Sequence, residues 1–326
     1  MTLSILGIGF SHSDIALSNQ FLEDLDIGTN AQWIIEKIGI ESRVISLPIP
    51  YIEKTRNQDP EEGLKVATTT PTELALKATS MACERAGISP SQIGMIICDC
   101  VRPNHIIPTE AQRIAKALDL SIPAFEVLTA CPVFALHIDF IKRFKELPEY
   151  VLAITTSAVS QVVNYNDRSD GAIWGDGASA CILSTKHLGK LKIIDSEFDA
   201  DPTRSNAVVI DRFGWFHQDG RAVRDFSVRQ TVRLIKRAEE KFGLDWSKDV
   251  FIGHQANATM LEQITTNRKI PEQNHWHNVR CIGNQAGAGA PASLAMRWDD
   301  IKPGMRVLTA VVGAGLSWGS VLMEGV

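Results

Sequence analysis

Of the six cysteines in the 326-residue chain, Cys131 alone sits where a thiol can be turned into a nucleophile. It lies in Ala124-Phe-Glu-Val-Leu-Thr-Ala-Cys131-Pro132-Val-Phe134, a β-type run ending in a proline that opens an apolar helical pattern. Proline is favoured in a first helical turn, where its missing N–H is not needed. Cys131 is therefore expected at a strand-to-helix turn, with a helix N-terminus lowering its pKa toward a reactive thiolate. Cys83, Cys98, Cys100, Cys181 and Cys281 have no CxxC spacing and no histidine set beside them, so they read as reduced thiols and no metal site is expected. His137 shares the helix after Cys131 but stands six residues on, a poor place for its base.

A thiol nucleophile needs a group that handles protons and donors for an oxyanion. Phe251-Ile-Gly-His254-Gln-Ala-Asn257 puts a histidine between a short apolar strand and a helix. Cys281-Ile-Gly-Asn284-Gln-Ala-Gly-Ala-Gly289 is a small-residue turn presenting one amide. Val311-Val-Gly-Ala314-Gly-Leu-Ser-Trp-Gly319 is a glycine-rich link between two strands, without the lysine of a phosphate loop. Its N–H groups suit an oxyanion hole.

The elements that must position these groups alternate. Apolar runs at 94–100, 124–128, 150–155 and 178–183 are separated by amphipathic stretches at 72–86, 109–117 and 133–144. That alternation predicts an α/β protein with buried sheets. Strands at 191–194, 207–210, 250–253, 306–312 and 320–323, with helices at 228–242, 258–266 and 293–297, repeat the theme. The chain is read as two similar halves, 1–185 with the cysteine and 186–326 with the histidine and asparagine. A 44% hydrophobic, 22% charged composition with net charge −5 is that of a soluble globular protein and argues against general nucleic-acid binding. No run is long enough to cross a membrane and the N-terminus lacks a signal peptide's features, so a cytoplasmic location is expected.

These segments together resemble the thiolase superfamily, and within it the β-ketoacyl-acyl-carrier-protein synthase III group of condensing enzymes. The resemblance rests on Trp33 with Gly39-Ile40, Cys131, Trp174-Gly-Asp-Gly-Ala178, His254-Gln-Ala-Asn257, Gly283-Asn284 and the closing 313–319 loop, in the family's order along nearly the whole chain. It implies an αβαβα sandwich of two duplicated halves and a homodimer. Cys131 would accept an acyl group from coenzyme A or an acyl carrier protein. His254 and Asn284 would stabilise the enolate formed when a malonyl-type thioester loses carbon dioxide, and the N–H groups of Cys131 and Ala314 would form the oxyanion hole. Trp33 would line the entrance; Ile106 and Ile107 would close the partner's acyl pocket. Arg221, Arg224 and Asn257 are placed at the coenzyme A site, and no cofactor beyond the thioester substrates is expected.

The sequence departs from the family at Pro132, in the 285–289 stretch, and at Thr259, where a basic residue often greets the carrier protein. Arg268 and Lys269 are possible replacements. Arg229, Arg233 and Arg237, four apart on one helical face, suggest docking of a phosphate-bearing partner as an alternative to a solvated face. Glu110 follows rather than precedes Pro108 and is given no role as base; Cys100 is read as core or pocket wall. The alternatives to a fatty-acid or secondary-metabolite ketosynthase are an acyltransferase acting on an alcohol or amine, and a non-catalytic partner subunit.

Overall fold

The computed structural model describes residues 2–326. Nine strands form one continuous sheet: β1 (Ser4–His12), β2 (Met95–Cys100), β3 (Ala124–Glu126), β4 (Val151–Ser157), β5 (Gly177–Ser184), β6 (Leu191–Ala200), β7 (Val250–Gly253), β8 (Arg306–Gly313) and β9 (Ser317–Gly325). Their spatial order is β7-β8-β9-β6-β1-β5-β4-β2-β3. In the first half β1 and β4 flank β5 antiparallel, and β2 runs parallel to β4 and β3. The second half repeats this: β6 and β8 flank β9 antiparallel, and β7 runs parallel to β8. The counterpart of β3 has shrunk to one parallel bridge between Phe251 and His275. The halves join where Ser4 and Ile5 pair with Lys192 and Leu191.

Helix Pro71–Ala86, opened by a Thr70/Glu73 capping box, packs on β1 and β5 from outside. Gly220–Phe242 packs on β8 and β9 from the opposite outer side. Between the sheet halves lie Val133–Ile141, against β6, β8 and β9, and Gly289–Met296, against β1, β5 and β7. Helices that are apolar or small all round belong in such a middle layer. Phe134, Ile138 and Leu294 share one buried core with Ile5, Val151, Val307 and Val321. This is the expected five-layer αβαβα sandwich.

Three local expectations change. The 207–210 strand forms as Val208–Ile210, but it pairs with Phe216–Gln218 as a hairpin apart from the main sheet. The helix expected at 228–242 begins eight residues earlier, at Gly220, with Asp219 capping it through Ala222 N–H. Pro132 is the N-cap of helix Val133–Ile141 rather than its first residue, so Cys131 stands just outside the helix.

Candidate active site

Cys131 is delivered by a turn that runs from β3 into the middle layer. Ala130, one residue before it, has φ +56°, a left-handed conformation uncommon outside glycine. The Thr129 and Ala130 N–H groups both donate to Oδ2 of buried Asp99, at 3.0 and 3.1 Å. Gly313, ending β8, lies directly against the nucleophile: a Cβ there would stand 2.4 Å from Cys131 Cβ and 3.2 Å from its Sγ. That approach requires glycine and brings the next residue, Ala314, beside the thiol. The Ala314 carbonyl accepts from Ser317 Oγ at 2.5 Å, which holds that peptide plane.

Burial pushes the Cys131 thiol up to about 12, and the Asp99 carboxylate adds to the rise; hydrogen bonds from the Ala314 and Cys131 N–H groups pull the other way. The expected low-pKa thiolate is thereby corrected. Removing a thiolate from water costs more than the nearby helix end returns, and the cysteine is not itself part of that helix.

His254 follows β7 at the same end of the sheet. It is buried, its Nδ1 has no hydrogen-bond partner among the described residues, and burial lowers its pKa to about 4, so the ring is neutral at pH 7. Gln255 anchors the neighbouring backbone. Its Nε2 donates to the Gly253 carbonyl at 2.8 Å and its Oε1 accepts from the N–H of Asn278 and Val279 at 2.9 and 3.3 Å.

Asn284 is fixed through the Trp174-Gly175 segment. Its N–H donates to Ile173 O at 2.8 Å and its carbonyl accepts from Gly175 N–H at 3.0 Å. Its side-chain Oδ1 accepts from Ala286 N–H at 2.9 Å, which leaves the NH₂ end for the pocket. The glycine-rich 285–289 stretch has a steric cause at Gly287, where a Cβ would meet Val133 Cγ1 at 2.4 Å and the Ala130 carbonyl oxygen at 2.6 Å. Asp176 anchors the same segment within the first half by accepting from the N–H and hydroxyl groups of Ser46 and Ser160.

Cys131, His254, Asn284 and Ala314 line one pocket of about 240 Å³, together with Trp33, Arg224 and Asn257. Cys131 and Ala314 also line a second chamber of about 350 Å³, walled mainly by Val101, Leu128, Val159, Trp174, Ile210 and Phe216. Trp174 and Phe216 meet edge-to-face at 4.6 Å. The nucleophile stands where the two spaces meet; both walls are chiefly apolar, and the side chains of His254, Asn284, Asn257 and Arg224 line the first alone.

Other expected site residues are placed differently. Asn257 lines the first pocket, but its Oδ1 caps helix Ala258–Arg268 through Met260 N–H at 2.8 Å. Arg224 lines the pocket and donates to Gln263 Oε1 at 2.9 Å; Arg221 is exposed and is not in its wall. Ile106 and Ile107 are 62% and 82% exposed and line neither chamber of their own chain. The basic face is partly used internally, since Arg237 pairs with Glu197 and Arg233 lies over the Trp318 ring at 5.6 Å. Arg268 pairs with Glu239. His137 bonds the Val127 carbonyl at 3.1 Å and, like Cys98 and Cys100, lines neither chamber. Arg168 carries no motif signal, yet its guanidinium lies over the Trp33 ring at 5.2 Å. Phe216 and the hairpin around it were equally invisible as pocket wall, because only the fold brings them over Cys131.

Comparison with known proteins agrees with this fold. Residues 243–324 match the family "3-Oxoacyl-[acyl-carrier-protein (ACP)] synthase III C terminal", and residues 125–202 match "3-Oxoacyl-[acyl-carrier-protein (ACP)] synthase III". The chain is 29% identical to the β-ketoacyl-[acyl-carrier-protein] synthase III of Coxiella burnetii (strain RSA 493 / Nine Mile phase I), covering 98% of each chain. It is 27% identical to that of Porphyra umbilicalis, covering 99% of each. The crystal structure of 3-oxoacyl-[acyl-carrier-protein] synthase III from Aquifex aeolicus VF5 superposes with a TM-score of 0.85 at 26% identity, covering 99% of each chain.

Proposed function

We propose, for a chain that belongs with the thiolase-superfamily condensing enzymes of the β-ketoacyl-acyl-carrier-protein synthase III type, that it loads an acyl group on Cys131 and condenses it with a malonyl-type thioester. The observation that carries this reading is the orientation of Asn284. With Oδ1 held by Ala286 N–H, its NH₂ is the end left for the pocket that His254 and Cys131 also line.

In the loading step Cys131 Sγ attacks the carbonyl carbon of an acyl thioester. The N–H groups of Cys131 and Ala314 hold the oxyanion. The donor thiol departs with the cysteine proton, so exchange of one thioester for another needs no external acid. In the second step the carbonyl of the malonyl thioester accepts from Asn284 and neutral His254. Loss of carbon dioxide leaves an enolate whose carbon attacks the acyl group on Cys131, and the thiolate leaves. A low-dielectric site with fixed neutral donors favours the enolate over the ground-state carbonyl. Transfer to an alcohol or amine would need a general base, and an imidazole held near pKa 4 is a weak one.

The chamber beyond Cys131 is assigned to the acyl chain and the pocket before it to the pantetheine arm of coenzyme A or an acyl carrier protein. Trp33 with Arg168 marks the outer end of that path, and Arg221 and Arg224 supply positive charge beside it. Ile106 and Ile107 are assigned to the contact with a second copy in a homodimer. No cofactor beyond the thioesters is required. No helix among the described residues is long and apolar enough to cross a membrane; a cytoplasmic location is part of the proposal.

Intact-mass spectrometry after incubation with acyl-CoA tests the reading. The native protein should gain one acyl group, Cys131→Ala none, and Asn284→Ala should load yet lose roughly 10²–10³ in malonyl-thioester decarboxylation. Acylation that survives in Cys131→Ala, or full condensation by Asn284→Ala, would overturn it.

A further inference from the structure

Behind the nucleophile's turn lies a carboxylate that the proposed chemistry does not use. Asp99 is the fifth residue of the strand Met95–Cys100 and is 1% exposed. Its Oδ2 alone gathers two successive backbone N–H groups, those of Thr129 and Ala130. Successive N–H groups converging on one anion form a backbone nest. Here the second of them belongs to Ala130, whose φ of +56° opposes the ordinary preference of alanine. The residue after that strained position is Cys131, which contributes both the attacking sulfur and, in the proposed reaction, one oxyanion N–H.

We propose that Asp99 is a positioning residue for acyl loading, holding the 129–131 turn in the conformation that aims Cys131 and setting the electrostatic field in which its thiol ionises. The inference rests on the assignment of Cys131 as nucleophile and deepens it. The pKa values agree with the geometry. Burial raises Asp99 to about 7, with Glu126 adding to the rise and the two N–H bonds opposing it. Asp99 in turn raises the Cys131 thiol. The titratable groups around the pair are few. Cys98 and Cys100 share its strand and are held protonated by burial. Glu126 lies on the adjacent strand, with burial raising its pKa, and its Oε1 accepts from the N–H of Glu110. His137 is held neutral on the neighbouring helix. Asp99 is thus the acid that bonds the turn itself, and its ionisation falls in the neutral range.

Two substitutions separate its two effects. Asp99→Asn keeps an acceptor oxygen of the same shape and removes the charge; Asp99→Ala removes both. The readouts are the rate of Cys131 alkylation by iodoacetamide against pH, located by peptide mapping, and the single-turnover rate of acyl loading. In the native protein the logarithm of the alkylation rate should rise with pH and bend near pH 7, where ionising Asp99 makes the thiol harder to deprotonate. In Asp99→Asn the bend should vanish and alkylation above pH 8 should be faster, about tenfold for each unit by which the thiol pKa falls. Asp99→Ala should slow loading by roughly 10–100-fold, chiefly in kcat, because the turn loses its anchor. A purely structural aspartate would lower thermal stability without moving the alkylation profile of Asp99→Asn. Superimposable profiles for the native protein and Asp99→Asn, or native loading rates in Asp99→Ala, would overturn the proposal. If Asp99→Ala fails to fold, Asp99→Asn decides the matter alone. Alkylation involves no acyl substrate, so its outcome stands apart from whether the native protein loads an acyl group.

Discussion

Replacing Gly313 by alanine should damage chemistry far more than stability. The new methyl would stand 2.4 Å from Cys131 Cβ and 2.8 Å from Pro132 Cδ. Carbon atoms in contact prefer about 3.5–4.0 Å, so β8 and the cysteine turn must part by roughly 1 Å. Overpacking of that kind costs about 1–3 kcal/mol in a well-packed interior. A displacement of about 1 Å at the reacting atom can cost about 10² in rate. The control is Gly243→Ala. Gly243 ends helix Gly220–Phe242 at φ +61° with no atom within 4 Å of where a Cβ would stand, so it carries backbone strain and no clash. That strain is worth about 1–2 kcal/mol. Both variants should melt a few degrees below the native protein in calorimetry. In a quenched-flow loading assay read by intact mass, Gly313→Ala should be about 100-fold slow and Gly243→Ala near native. Equal loading rates for the two variants would refute the claim that Gly313 sets the position of the thiol.

Three further outcomes follow from the site. Because burial holds the Cys131 thiol near 12, alkylation of the free enzyme should climb about tenfold per pH unit from pH 8 to 10 without a plateau; a plateau below pH 9 would restore the low-pKa thiolate. His254, whose imidazolium is disfavoured by burial, should stay neutral as pH falls until about 4. Decarboxylation by preloaded enzyme in a pH-jump assay should therefore be flat between pH 6 and 8, and an inflection near 6.5 would contradict its burial. Trp33→Ala removes the ring under Arg168 and should raise KM several-fold for an acyl-CoA donor while leaving an acyl-pantetheine donor nearly unchanged, since a solvent-exposed cation–π pair is worth about 0.5–1 kcal/mol; equal changes for both donors would place Trp33 elsewhere on the path.

Much of the site was legible from local chemistry. Proline after a cysteine, a histidine closing a β run and an amide in a small-residue turn each announce a chain reversal at the end of a buried strand, and such reversals collect at one edge of a sheet. The alternation of apolar runs with amphipathic helices was enough to give the layered class, because burial of one face is a period that the residues themselves carry.

Tertiary structure decided the rest, for reasons of distance and environment. The thiol's pKa was misread because a helix end is visible in sequence, whereas burial comes from the packing around the turn and the carboxylate of Asp99 from another strand. The arginine face looked free as a helical stripe until Glu197 and Trp318, on neighbouring strands, occupied two of its members. Asn257 looked like a ligand group, yet its own helix claims its oxygen. Arg168 and Phe216 could not be found at all, since stacking and wall-building are relations between distant segments and leave no spacing behind. Residue types and local order determined which chemistry the chain could carry. Packing between the two halves decided where each charge would be paired, which groups would lose their water, and hence which protonation state each would hold.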